Sequence, residues 1–168
     1  MTGQGQLSEE AHAAGDLKLD AYLPYRLSVA SNAVSGLIAR AYEDRFGLSV
    51  PQWRLICVLA EDGGKTQRGI VARTGMDKVT VSRAARGLTT RRLIGRTANK
   101  ADGRSHVLAL TAEGRRLHAQ IAPLALAYEA ALIAGLAPAE VAQMKRLLMR
   151  LQAAADSLAG GQTPTVRI

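Results

Sequence analysis

The sequence predicts a mainly α chain with one small β-hairpin, on three observations. Apolar residues recur at alternating spacings of three and four over most of its length. Gly, Pro and hydroxyl residues punctuate those runs where helices should begin and end. Only residues 93–110 read as two short strands around a polar turn that contains Gly.

A long helix should start near Pro24, because Pro suits a first helical turn. Leu27, Ala30, Val34, Leu37 and Ala41 form its stripe, which should run to Phe46 and stop at Gly47. Ser49 is a good N-cap for a second helix with Pro51 in its first turn and Trp53, Ile56 and Leu59 beyond. Glu61-Asp62-Gly63-Gly64 reads as the turn that follows it. Two short helices come next, Gln67–Thr74 and 77–92, with Gly75 between them. Strands are expected over 93–98 and His106–Leu110, joined by the polar tip 99–105. Thr111 should cap a helix striped by Leu117, Ile121, Leu124, Tyr128 and Ala131, ending near Gly135. Pro138 opens a last helix with Val141, Met144, Leu148, Leu151, Ala155 and Leu158 at heptad-like spacing, and Gly160-Gly161 closes it.

This order is a winged helix-turn-helix flanked by N- and C-terminal dimerisation helices. A stripe of heptad type needs a partner helix, so the outer helices should pair within and across protomers, although a monomeric bundle would also bury them. The expected layout is a flexible arm over 1–19, dimerisation helices over 20–50 and 111–159, a winged helix-turn-helix over 51–110 and a flexible tail over 160–168.

The chain has 168 residues, 48% of them hydrophobic, enough for one domain with a core. Its formal charge is +8, and the excess is local. Residues 65–104 hold eleven Lys/Arg against two Asp/Glu, while the remainder holds eleven against twelve. A positive charge gathered on the short helices and hairpin is the footprint of a polyanion-binding module, and a solvated basic face is the bland alternative. Cys57 is the single cysteine, so no intrachain disulfide can form, which suits a reducing compartment. No apolar run reaches the roughly 18 residues of a membrane span. Residues 1–16 carry Glu9, Glu10 and Asp16 in place of a signal peptide's apolar run. A cytoplasmic protein with no membrane partner is therefore expected.

Catalysis is not expected. His12, His106 and His118 are isolated, with no Cys or carboxylate at metal-ligand spacing. There is no Gly-rich phosphate loop and no nucleophile motif, so neither metal nor cofactor is expected.

The helix over 77–92 is the most informative segment. Val81, Ala84, Ala85 and Leu88 form one apolar face, and Val79, Ser82, Arg83, Arg86 and Thr90 project opposite it. Lys78 and Thr80 flank that face near the N-terminus, where Asp77 is placed to cap the helix. Arg can grip guanine, Ser and Thr can reach bases or phosphates, and Val79 can meet a thymine methyl. The first turns of such a helix usually meet base edges, which favours Lys78, Val79, Ser82 and Arg83. Thr66, Gln67 and Arg68 open the shorter helix and can face a phosphate. Lys100 and Arg104 at the hairpin tip can enter a narrow minor groove, with Asp102 able to orient them.

The ordered set 77–83 (Asp-Lys-Val-Thr-Val-Ser-Arg), Leu93-Ile94-Gly95-Arg96, Asp102-Gly103-Arg104-Ser105 and Leu110-Thr111-Ala112-Glu113-Gly114 resembles the MarR family of bacterial regulators. The run from Gly47 to Arg54 resembles that family's approach to its second helix, and the resemblance covers roughly residues 22–158. It implies a homodimer built from the terminal helices, bound to a pseudo-palindromic double-stranded DNA operator, usually as a repressor. It also implies recognition-helix positions at Lys78, Val79, Thr80, Ser82 and Arg83 and a wing arginine at Arg104. Val79 departs from the small hydroxyl residue of many relatives, which puts the base preference there in question.

The resemblance further implies a small-molecule effector, and residues 24–38 resemble the branch that answers to hydroxycinnamoyl-coenzyme A thioesters such as p-coumaroyl-CoA. Tyr25, Ser28, Asn32 and Ser35 form a stripe of small polar groups that suits a ligand cavity or, equally, a close helix crossing. Arg26 and Arg54 could supply charge for an aromatic acid or acyl-CoA, and Trp53 could form a pocket wall. Cys57 lies in an apolar run without a neighbouring His, which favours a core role over a redox sensor. A nonspecific architectural nucleic-acid-binding protein is the remaining alternative.

Overall fold

The computed structural model describes residues 17–99, 102, 103 and 105–161. A 3-10 turn, Leu19–Ala21, precedes α1 (Leu23–Phe46) and α2 (Val50–Asp62). Then come β1 (Lys65–Thr66), α3 (Gln67–Thr74), α4 (Lys78–Thr90), β2 (Ile94–Ala98), β3 (His106–Leu110), α5 (Ala112–Ile133) and α6 (Pro138–Ala159). Most of the chain is helical, with the hairpin expected from the sequence. Most of the expected arm and tail lies outside the described residues.

Local chemistry sets the helix ends. Gly47 and Gly75 end α1 and α3 in the left-handed region, at φ 59° and 67°, where a side chain would be strained. Ser49 precedes α2, and its backbone N–H donates to Gln52 Oε1 at 2.9 Å. Thr66 Oγ1 accepts from the Gly69 N–H at 3.2 Å, and Thr111 Oγ1 accepts from that of Gly114 at 3.0 Å. Each side chain satisfies a backbone donor that the first helical turn leaves open.

Two boundaries differ from expectation. Glu61 and Asp62 belong to the last turn of α2 and not to the turn beyond it, and Lys65 holds Asp62 at 2.8 Å. The helix expected over 77–92 is shorter because Asp77 is its cap and Arg92 turns left-handed at φ 58°, which sends the chain into β2.

The hairpin gains a third strand. β3 pairs antiparallel with β2, from Ile94 opposite Leu110 to Ala98 opposite His106. β1 joins its other edge, with Lys65 opposite Leu108 and Thr66 opposite Val107. Pairing on both edges makes β3 the central strand, and Leu108 is buried under the sheet.

The chain divides into two compact units, Met1–Ala122 and Pro123–Ile168. In the first, Leu55, Ile56 and Leu59 of α2, Ile70 of α3, and Val81, Ala84, Ala85 and Leu88 of α4 are buried with Ile94, Leu108 and Leu110 of the sheet. Each fully buried Leu or Ile contributes about 1.5–3 kcal/mol. The apolar face expected for α4 is therefore the face it buries. Trp53 joins three helices, with its ring 5.1 Å from Tyr42 of α1 and stacked 5.9 Å from His118 of α5. In the second unit, Lys145 of α6 pairs with Glu129 of α5 at 3.0 Å.

Candidate nucleic-acid interface

Burial of Val81, Ala84, Ala85 and Leu88 fixes the rotation of α4. Its opposite side, with Lys78, Val79, Arg83 and Arg86, is exposed, and Ser82 is half-buried. Val79 stands out at 65% exposure, an apolar group among cations. Asp77 locks the N-terminus: its Oδ1 accepts from the Thr80 N–H at 2.8 Å and its Oδ2 from the Thr80 hydroxyl at 2.5 Å. The hydrogen bonds from Thr80, side chain first and then backbone, hold the Asp77 carboxyl below the usual carboxylate range. The Thr80 hydroxyl proton is thereby committed to the cap. Thr66 caps α3 itself, its Oγ1 accepting from the Gly69 N–H.

The central cations fall into two groups. Lys65 pairs with Asp62, Arg73 pairs with Glu61 at 3.1 Å, and the Arg91 guanidinium donates to the carbonyls of Phe46 and Gly47 at 2.8 and 2.7 Å. These three brace the fold. Asp62 is held below the usual carboxylate range, mainly by its hydrogen bond from Lys65. Arg68, Lys78, Arg83, Arg86, Arg92 and Arg96 have no ion pair or side-chain hydrogen bond among the described residues. Cations left without internal partners are the ones available to an external polyanion.

Lys100 and Arg104 of the wing tip lie outside the described residues. At the wing's base, an open cleft of about 360 Å³ separates α4 from the sheet. Gln67, Ser82, Ala85, Arg86, Arg96 and Leu108 help to line it. Sequence reasoning singled out Gln67, Ser82 and Arg86 but missed Arg96, whose place opposite α4 depends on sheet packing.

The expected ligand residues are more scattered. Tyr25, Ser28 and Asn32 are exposed on α1 and Ser35 is half-buried, so the stripe is not enclosed within one protomer. Arg26 lies 4.0 Å from Asp20, Arg54 is exposed, and Trp53 packs at the helix junction. Cys57 is half-buried, and burial, then the charge of Glu61, pushes its thiol up to about 12. Such a thiol is protonated at neutral pH, the reverse of what a redox sensor needs. No three His, Cys, Asp or Glu side chains among the described residues are grouped to hold a metal, and no single helix among them is long and apolar enough to cross a membrane.

A buried-face helix, its capped and basic opposite side and an adjoining three-stranded wing form the winged helix-turn-helix. The sequence model of the MarR family matches residues 46–105, from the end of α1 through β2 and up to the residue before β3. That segment of the chain is thus similar to the MarR family. A MarR/EmrR family transcriptional regulator from Acinetobacter sp. ADP1 is 26% identical with a TM-score of 0.78, over 84% of this chain and 99% of that one. Bordetella bronchiseptica BpsR, whose DNA binding is regulated by 6-hydroxynicotinic acid, is 25% identical with a TM-score of 0.75, over 82% and 98%. S. aureus MepR, solved as a DNA complex, is 25% identical with a TM-score of 0.70, over 80% and 98%. No curated protein matches the chain.

Proposed function

We propose that this chain is a homodimeric MarR-family repressor that binds a pseudo-palindromic double-stranded DNA operator and leaves it when a small-molecule effector binds. The observation that carries this reading is the outer face of α4. Lys78, Arg83 and Arg86 lie open and unpaired there beside the exposed Val79. Lys78, Val79, Ser82 and Arg83 read base edges, while Gln67, Arg68, Lys100 and Arg104 fix the protein on the backbone and groove. Thr66 and Thr80 contribute mainly by holding the helix termini.

Helices over 20–50 and 111–159 form the dimer, and residues 51–110 bind the DNA. The exposed stripe of Tyr25, Ser28, Asn32 and Ser35 becomes a cavity only when a second protomer covers it, with Arg26, Trp53 and Arg54 completing the site. BpsR responds to an aromatic acid, which supports an effector of that class. An aromatic acid or an aromatic acyl-CoA thioester such as p-coumaroyl-CoA fits, and the regulated operon serves catabolism of, or resistance to, such compounds. The protein acts on the nucleoid in the cytoplasm.

Fluorescence anisotropy tests this with a duplex from upstream of its own gene and a scrambled duplex of equal length. The wild type should prefer a two-fold site with half-sites about one helical turn apart. Arg83→Ala should lower that preference by about 1–3 kcal/mol for the base it reads. p-Coumaroyl-CoA or an aromatic acid should lower operator affinity. Equal binding to both duplexes would instead make this an architectural protein, and specific binding that none of these compounds disturbs would discard the effector class.

A further inference from the structure

Of the residues that line the cleft between α4 and the wing, only Ser82 is assigned to base reading above, and the cleft is built for charge. Its helix wall carries Ser82 and Arg86, its sheet wall Arg96 from β2, and Gln67 of α3 stands at its margin. Thr89 and Thr90 also line it, but they add no free donor. Their hydroxyls donate to the carbonyls of Ala85 and Arg86 at 2.9 and 3.1 Å. The donors left are two guanidinium groups, one amide and one hydroxyl. Neither the Arg86 nor the Arg96 guanidinium has an ion pair or hydrogen bond among the described residues, and none of the described residues that line the cleft is a carboxylate. Two uncompensated arginines that line one cleft both attract an oxyanion seated in it. Planar guanidinium groups suit the paired oxygens of a phosphate.

Position along α4 identifies the source of that phosphate. Arg86 is eight residues beyond Lys78, about 12 Å along the helix. Base edges are met by the N-terminal turns of such a helix, so a side chain this far along reaches the sugar-phosphate strand beside the groove. Arg96 is on the strand next to it and shares the same cleft.

We propose that this cleft is a phosphate seat, in which Arg86 and Arg96 together grip one backbone phosphodiester of bound duplex DNA. This rests on the DNA-binding reading above and adds to it: Arg86 positions the protein and does not specify sequence.

Salt-dependent anisotropy on the scrambled duplex tests the seat without knowledge of the operator. For wild-type protein, log Kobs should fall linearly with log[salt], each phosphate contact contributing about 0.9 to the slope. Arg96→Ala and Arg86→Ala should each weaken binding about tenfold, by the same factor on operator and scrambled duplexes, as loss of one charge-assisted contact implies. Each should also flatten the slope by about 0.9 per cleft engaged. Arg96→Lys should keep most of the slope because it keeps the charge. Both arginines are exposed, so these variants fold, as circular dichroism would verify.

Unchanged affinity and slope in Arg96→Ala would overturn the seat while leaving the DNA-binding reading intact. Selective loss of operator binding in Arg86→Ala would assign that residue to base reading and overturn its shared role. Inorganic phosphate that shifts the Arg86 and Arg96 Nε–Hε NMR signals, with DNA binding unaffected in Arg96→Ala, would assign the cleft to a free anion instead. Wild-type protein that binds neither duplex at low salt would overturn both readings.

Discussion

Asp77 holds the reading helix by its first turn. Its two carboxylate oxygens take the backbone N–H and the hydroxyl of Thr80, and this pairing lowers its pKa. A group with a depressed folded-state pKa stabilises the fold above its ordinary titration range. That contribution is lost as the pH falls through the depressed value. Thr80→Val removes the largest cause of the shift while leaving the backbone donor in place. Carboxyl 13C titration should then show the Asp77 pKa moving up toward the usual carboxylate value of about 3.9. The variant's stability loss should be evident near neutral pH and should fade once Asp77 is protonated in both proteins. An unchanged Asp77 titration would mean that the hydroxyl contact does not set the shift. The capping role of Asp77 was legible because a cap is local, needing one acceptor three residues before its donor. The engagement of Arg91 with Phe46 and Gly47 was not legible, since it joins residues more than forty positions apart.

Elements meet most tightly where α5 begins. The Thr111 N–H donates to the Leu93 carbonyl at 3.1 Å, and the Thr111 hydroxyl lies within 2.9 and 3.1 Å of the Arg92 and Leu93 carbonyls. This clasp brings α5 so close to the start of β2 that a Cβ on Gly114 would sit 2.0 Å from the Leu93 carbonyl oxygen. Helix propensity alone says that Gly114→Ala should stabilise by about 1 kcal/mol. The clash says the opposite and outweighs it, because the obstructing atom is backbone tied into the wing. We expect Gly114→Ala to destabilise by about 3 kcal/mol in urea unfolding. A stabilised variant would show that α5 can move off the wing at little cost. Sequence pattern revealed Gly114 as part of a motif but not the carbonyl above it. It likewise missed β1, because two residues are too short to alternate and Lys65–Thr66 is a strand only through its partners Leu108 and Val107. Arg96 was missed for the same reason: β2 had a readable strand pattern, but which side chain would face α4 depended on how the sheet packs.

Across the whole chain, charge and apolar exposure are segregated. The surplus of positive charge lies between residues 65 and 104, while exposed large apolar side chains concentrate on α1, α5 and α6. On α6, Met144, Leu148, Leu151 and Leu158 of the heptad-like stripe are each 39–47% exposed, and no α6 residue is buried. A helix with that much open apolar surface is a poor monomer surface but a good interface. The stripe's period favours another helix as its cover, and a second copy of this chain is the cover proposed. Two copies would also place two reading helices on one duplex, doubling the phosphate contacts and matching a two-fold operator. Leu148→Glu puts a charge into that surface where one protomer leaves room for it, so the helices should still form. Sedimentation should find wild-type protein as a dimer and the variant as a monomer with unchanged far-UV circular dichroism. Operator affinity should fall far more than affinity for a single half-site, because only the dimer joins two half-sites at fixed spacing. If Leu148→Glu remains dimeric and binds as the wild type does, the α6 stripe is not the interface, and the symmetric operator loses its physical basis in this helix.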